Sequence, residues 1–200
     1  MKQYGINDVV HTNYYRFDNF FMLSYESAFN ILYKKTKEGS ARAEVLCHSM
    51  LFLARHAIEL GLKWNIRYLK SLENNKDVKC NCKLNNTHNL SDLLDDFKKL
   101  YENTYKKIDE IIYDEKLYNS LKDLICGNST FLGLAEIDNN SIYTRYPHKK
   151  DGKPFYDDES YNITISMSSL HSLFNDAISL LAHIQTFLKY LNNFENPRYC

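Results

Sequence analysis

Four groups of residues in this 200-residue chain have the types and spacing that chemistry needs. The first is Arg145-Tyr146-Pro147-His148, followed by Lys149, Lys150 and Lys153. Arginine offers a planar, permanently charged fork suited to phosphate. Histidine exchanges a proton near neutrality. Metal-free RNA cleavage needs both: a proton acceptor for the 2′-hydroxyl and a cation beside the crowded phosphate. Tyr143, Tyr146, Phe155 and Tyr156 add rings on which bases can stack. Alternatively, Pro147 fixes a turn, Arg145 pairs with Glu59 or a loop carboxylate, and the lysines face solvent.

The second group is a stripe. His56, Glu59, Lys63 and Arg67 follow at intervals of three, four and four, and Arg55 precedes Glu59 by four. On a helix these side chains share a face. Buried charge must be paired, so the stripe needs partners on another helix or subunit. Glu59 could orient a base or hold a substrate amine there, with His56 and Lys63 as binding residues. Equally, the stripe could be an ion-pair network that fixes helix register. The third candidate, His88 at a helix start, either joins Glu59 and Arg145 in a site or bonds to nearby backbone.

The fourth group, Cys80-x-Cys82-x5-His88, has metal-binding residue types. One close Cys pair and one His leave a four-ligand zinc site incomplete, so no metal is expected. Cys47 and Cys126 lie in apolar contexts and read as small core residues. No Gly-rich phosphate loop, His-Glu-x-x-His helix or Gly-x-Ser-x-Gly elbow occurs in the sequence. P-loop hydrolysis, zincin proteolysis and the common hydrolase fold drop out, and no cofactor is expected.

Helices must position these groups. Phe17, Phe20, Phe21, Tyr25, Ala28 and Leu32 recur at helical spacing and predict a helix over about 16–37. Lys34, Lys35 and Lys37 suit its end, Gly39 its stop, and Ser40 the cap of the next helix, about 41–73. That second helix is apolar around most of its circumference and belongs in the middle of a bundle. Asn89 or Ser91 caps a third helix carrying Leu90, Leu93, Leu94, Phe97 and Leu100. A fourth helix covers about 106–126, and a last one runs from Ser166 or Ser168 to about 193. Its seam is Leu170, Leu173, Phe174, Ala177, Leu180, Leu181, Ile184, Phe187, Leu188 and Leu191. Between them lies an irregular insertion, about 127–165, with a small β-hairpin expected over Ile137 to Tyr146.

The expected fold is an all-α, up-and-down bundle of four or five helices in one domain over 1–200, its core at about 16–193. Composition agrees. Six Gly and three Pro are too few for a turn-rich β fold, and 16 Tyr with 11 Phe imply a ring-built core or interface. Lys+Arg and Asp+Glu both number 25, which argues against broad electrostatic capture of DNA or an anionic membrane. The N-terminus lacks a leader pattern, and no apolar run of 18 residues occurs, so no membrane span is expected. Five cysteines at irregular spacing then read as free thiols in a reducing cytoplasm.

Three pieces in order resemble the HEPN superfamily of small helical bundles. They are His56-Ala57-Ile58-Glu59-Leu60 with Lys63, then Thr87-His88-Asn89-Leu90-x-x-Leu93-Leu94, then Arg145-Tyr146-Pro147 before the last helix. The resemblance spans about 16–193. It implies a helical bundle that dimerises through helices. Many members cut RNA without metal as toxins or phage-defence effectors, using an Arg and a His four to six residues apart on a late helix. Others are silent modules that bind a nucleotide or a cognate protein. This chain departs from the active pattern. His171 and His183 on the last helix have no Arg at that distance before them, Arg145 and His148 are too close, and Arg42 and His48 lie on an early helix. The implied roles are Arg145 as phosphate clamp, His148 or His88 as acid and base, Glu59 as orienter, and Lys63, His56, Tyr146, Lys149 and Lys150 at the substrate. The alternative is a catalytically silent homodimeric module.

Overall fold

The structure is a computed structural model and describes residues 18–72, 75–81, 83–105, 115–129, 132–138, 152 and 164–195. Among them are six helices and no strand: α1 Asp18–Lys37, α2 Ala43–Ser71, α3 Leu90–Tyr105, α4 Glu115–Cys126, α5 Leu134–Asp138 and α6 Met167–Glu195. The fold is an all-α bundle, with five longer helices and one short one among the described residues.

The helix ends follow local chemistry. Gly39 takes a left-handed φ of 68° after α1. That turn lets the Ser40 and Ala41 N–H groups reach the Lys35 carbonyl at 3.1 and 3.3 Å. Ser40 Oγ donates to the same carbonyl at 3.0 Å. Ser40 therefore finishes α1 instead of capping α2, whose N-cap is Arg42 with no side-chain cap bond. The expected Ser40 cap fails because the Gly39 turn aims the hydroxyl backwards. Asn89 does cap α3, its Oδ1 accepting the Asp92 N–H at 3.0 Å. Ser166 caps α6 by accepting the Ser169 N–H at 3.2 Å.

α2 lies at the centre, packed on α1, α3 and α6, while α4 packs on α6 and α5 on α4 and α3. Met50, Ala54, Ala57, Ile58, Leu62, Ile66 and Leu69 of α2 are all fully buried. They meet Met22 and Phe29 of α1, Leu90, Leu93 and Phe97 of α3, and Phe174, Ala177 and Leu181 of α6 in one core. Gly61 marks a close approach of α2 to α1 and α6. A Cβ there would lie 2.7 Å from Met22 Sδ and 2.8 Å from Leu181 Cδ1. By length and mean hydropathy α2 is the one described helix that could cross a bilayer, which a count of uninterrupted apolar residues did not suggest. Half of its most apolar window is buried against the other helices.

α5 revises the expected hairpin. Ile137 and Asp138 are helical, with Leu134 and Asp138 turned inward. The remainder of that hairpin, 139–146, lies outside the described residues, as do Cys82 and residues 106–114. α5 begins hard against the end of α4. A Cβ on Gly133 would lie 2.2 Å from the Gly127 backbone nitrogen, so only glycine admits this approach.

Candidate functional site

Arg55, Glu59 and Lys63 stand one turn apart on α2 and point the same way. All three are buried, at 0%, 4% and 6% exposure. Glu59 is the hub. Its Oε2 accepts from Arg55 Nη1 at 2.6 Å, and its Oε1 from Lys63 Nζ at 2.7 Å. The third partner comes from the turn before α3: His88 Nδ1 lies 2.8 Å from Oε1. The seam thus finds its complement within the chain, not in bulk water.

Arg55 spreads its fork across three elements. Nε donates to the Asp138 carbonyl at the end of α5, at 2.8 Å, and Nη2 donates to the His88 carbonyl. One guanidinium ties the middle of α2 to the start of α3 and the end of α5. Five fixed donors make arginine fit for this; lysine could not span it.

Burial pushes the Glu59 carboxyl upward, but hydrogen bonds from Lys63 and Arg55, with their charges, outweigh it and hold its pKa at about 2. Glu59 is therefore ionised at any working pH and can only accept. Facing an acceptor-only carboxylate, His88 Nδ1 is the donor of this bond. The His88 side chain is 51% exposed, so the ring is half open to solvent. A buried carboxylate that sets the tautomer of an accessible imidazole is the base-and-orienter half of an acid–base site.

The other sequence candidates fall elsewhere. His56 sits half-buried on a neighbouring face of α2, its Nδ1 3.2 Å from the Phe52 carbonyl and its ring 5.9 Å from that of Tyr25. It stands apart from the Glu59 hub. Arg67 is exposed and donates to Asn85 Oδ1 at 3.3 Å. Arg145, Tyr146, His148, Lys149 and Lys150 lie outside the described residues. Among the described residues no cluster of His, Cys, Asp and Glu is arranged to hold a metal ion. Cys47, Cys80 and Cys126 are free thiols, each pushed up in pKa by burial. None has the lowered pKa of a cysteine nucleophile.

The i, i+4 spacing of Arg55, Glu59 and Lys63 was visible in the sequence. Two backbone carbonyls complete the site, those of His88 and Asp138, and a carbonyl leaves no signal in residue type. The chain matches no known protein family, no curated protein and no solved structure.

Proposed function

We propose that this chain is a HEPN-like protein that acts on RNA without a metal, using His88 as its proton-transfer group. Glu59 orients the imidazole, and Arg55 with Lys63 keeps Glu59 ionised. The single observation that carries the reading is His88 itself: Nδ1 engaged by a buried carboxylate at 2.8 Å on a ring half open to solvent. In the reaction, Nε2 accepts the 2′-hydroxyl proton. The 2′-oxygen then attacks phosphorus and displaces the 5′-oxygen, leaving a 2′,3′-cyclic phosphate. Arg145 clamps the phosphate and His148 returns a proton to the leaving oxygen, with Tyr146, Lys149 and Lys150 along the substrate. The setting would be cytoplasmic, as a homodimer in toxin–antitoxin or phage-defence function, where a cognate protein holds the activity in check.

A second reading has its own support. Nε, Nη1 and Nη2 of Arg55 are all engaged, and both Glu59 oxygens are occupied. So saturated a network suits a silent dimeric module, binding a nucleotide or protein, in which the seam only fixes the fold. Incubation of purified protein with total RNA in chelator separates the two. The nuclease reading expects fragments ending in cyclic phosphate, abolished in His88→Ala and in Arg145→Ala. Intact RNA with wild-type protein would eliminate cleavage and leave the module.

A further inference from the structure

The cationic residues of the stretch that leads into His88 form an edge that the proposed chemistry leaves unused. Over 67–88 the chain carries Arg67, Lys70, Lys76, Lys79 and Lys83 against Glu73 and Asp77, within a chain whose net charge is zero. Of these, Arg67, Lys70, Lys76, Lys79 and Lys83 are all exposed. Lys70, Lys79 and Lys83 pair with no carboxylate among the described residues.

The fold gathers them. Arg67 and Lys70 follow Lys63 on α2 by four and seven residues, so they continue the Glu59–Lys63 face outward for about 10 Å. The turn that delivers His88 is drawn against this face, since Arg67 donates to Asn85 Oδ1 at 3.3 Å. Farther along the same loop, the Asn81 N–H donates to Asp96 Oδ1 at 3.0 Å, which pins it to α3 as well. Lys79 and Lys83 flank the Asn81 anchor in sequence, and Lys83 lies between the two anchors. His88 stands at the inner end of the resulting strip.

We propose that this edge is the track for a single RNA strand, running along α2 and past the loop residues 75–81 and 83–88 and delivering a phosphate to His88. The inference rests on the RNA reading above and names where the strand lies. An elongated row of cations fits a run of phosphates better than one nucleotide. The exposed amides of Asn81, Asn85 and Asn86 offer both donors and acceptors to base edges. A lipid surface is disfavoured, because none of the large exposed apolar side chains lies within 67–88.

The test uses the whole chain and a fluorescein-labelled, 2′-O-methyl oligonucleotide of mixed sequence, which cannot be cleaved at the 2′-position. Binding is read by anisotropy across a salt series. The variant Arg67→Glu/Lys70→Glu/Lys83→Glu is expected to weaken binding at least tenfold. Its plot of log K against log salt should flatten by about 2, at about 0.7 per lost phosphate contact on a single strand. The neutral variant Lys70→Gln/Lys83→Gln should flatten it by about 1.4 on the same basis, with circular dichroism confirming the fold. Lys34→Glu/Lys35→Glu, on α1, should bind within twofold of wild type. Unchanged binding in the triple variant, no binding by wild type, or equal affinity for polyglutamate at matched salt would each overturn the track. The two proposals fail separately. Binding that depends on the edge, without RNA cleavage by wild type, keeps the track and removes the nuclease. Cleavage that needs His88 but ignores the triple variant does the reverse.

Discussion

At the scale of single residues, Glu59 decides most. Its carboxyl is held at about 2 against an ordinary 4.5. A carboxyl with a depressed folded pKa adds stability that is present above its unfolded pKa and lost as pH falls toward the folded one. The shift is worth about 3 kcal/mol, present above about pH 5 and lost between about pH 5 and 2. Glu59→Gln should flatten that acid limb in urea titrations run across this range. At pH 7 the same change strands Arg55 and Lys63 in the interior and should cost about 3–5 kcal/mol. An acid limb as steep in the variant as in wild type would sink this account. His88→Ala should cost only about 1 kcal/mol, since its ring is half exposed and one hydrogen bond is lost. The sequence made Glu59, Lys63 and Arg55 legible because their spacing is a helix face. It left His56 ambiguous, since a three-residue offset from Glu59 turns a side chain by roughly 60°. That turn is enough to hand His56 to Phe52 and Tyr25.

At the scale of elements, contact distance explains where glycine is required and where it is merely convenient. A Cβ at Gly61 would meet the ends of two flexible side chains, Met22 Sδ and Leu181 Cδ1. Gly61→Ala should cost about 1 kcal/mol net, because helix propensity returns part of the overpacking penalty. A Cβ at Gly133 would meet backbone, with Ile125 O at 2.4 Å as well as the Gly127 nitrogen. Gly133→Ala should cost more than about 2 kcal/mol, and thermal melts would rank the pair. A smaller loss at Gly133 than at Gly61 would show that α5 can shift freely. The α1–α6 contact makes a pH prediction of its own. His171 stacks on Tyr33 with ring centres 3.8 Å apart. Burial, then Lys37, lowers its pKa below the usual 6.5. A group held neutral in the fold costs stability once its unfolded form can protonate. Stability should therefore decline as pH drops below about 6.5, and less so in His171→Gln, by thermal melts at pH 7.5 and 5.5. The five longer helices and their order were readable from apolar spacing. α5 was not, because Leu134–Asp138 is little more than one helical turn, too short for a period to register, so Ile137 and Asp138 read as part of a hairpin.

At the scale of the whole molecule, α2 is a hub reached by two kinds of bond. Apolar packing joins it to α1, α3 and α6, whereas Arg55 reaches both the end of α5 and the start of α3 through backbone carbonyls. Apolar contact was legible as the near-continuous hydrophobic surface of α2. The polar tie was not, since its acceptors belong to the peptide chain and bridge 33 and 83 residues of separation. This division predicts that the bundle opens in parts. Arg55→Lys keeps a cation beside Glu59 but loses the fork. Amide hydrogen exchange in the variant should quicken by about 10- to 100-fold at 88–93 and 133–138, the cost of one or two lost hydrogen bonds to a charged group. The middle of α6, around Phe174 to Leu181, should keep its protection, because its burial does not depend on Arg55. RNA cleavage, if His88 performs it, should fall with that loosening while oligonucleotide binding on the α2 edge persists. Uniform acceleration along the chain would mean that Arg55 supports the fold as a whole, and that His88 is held by α3 instead of by the tie beneath it.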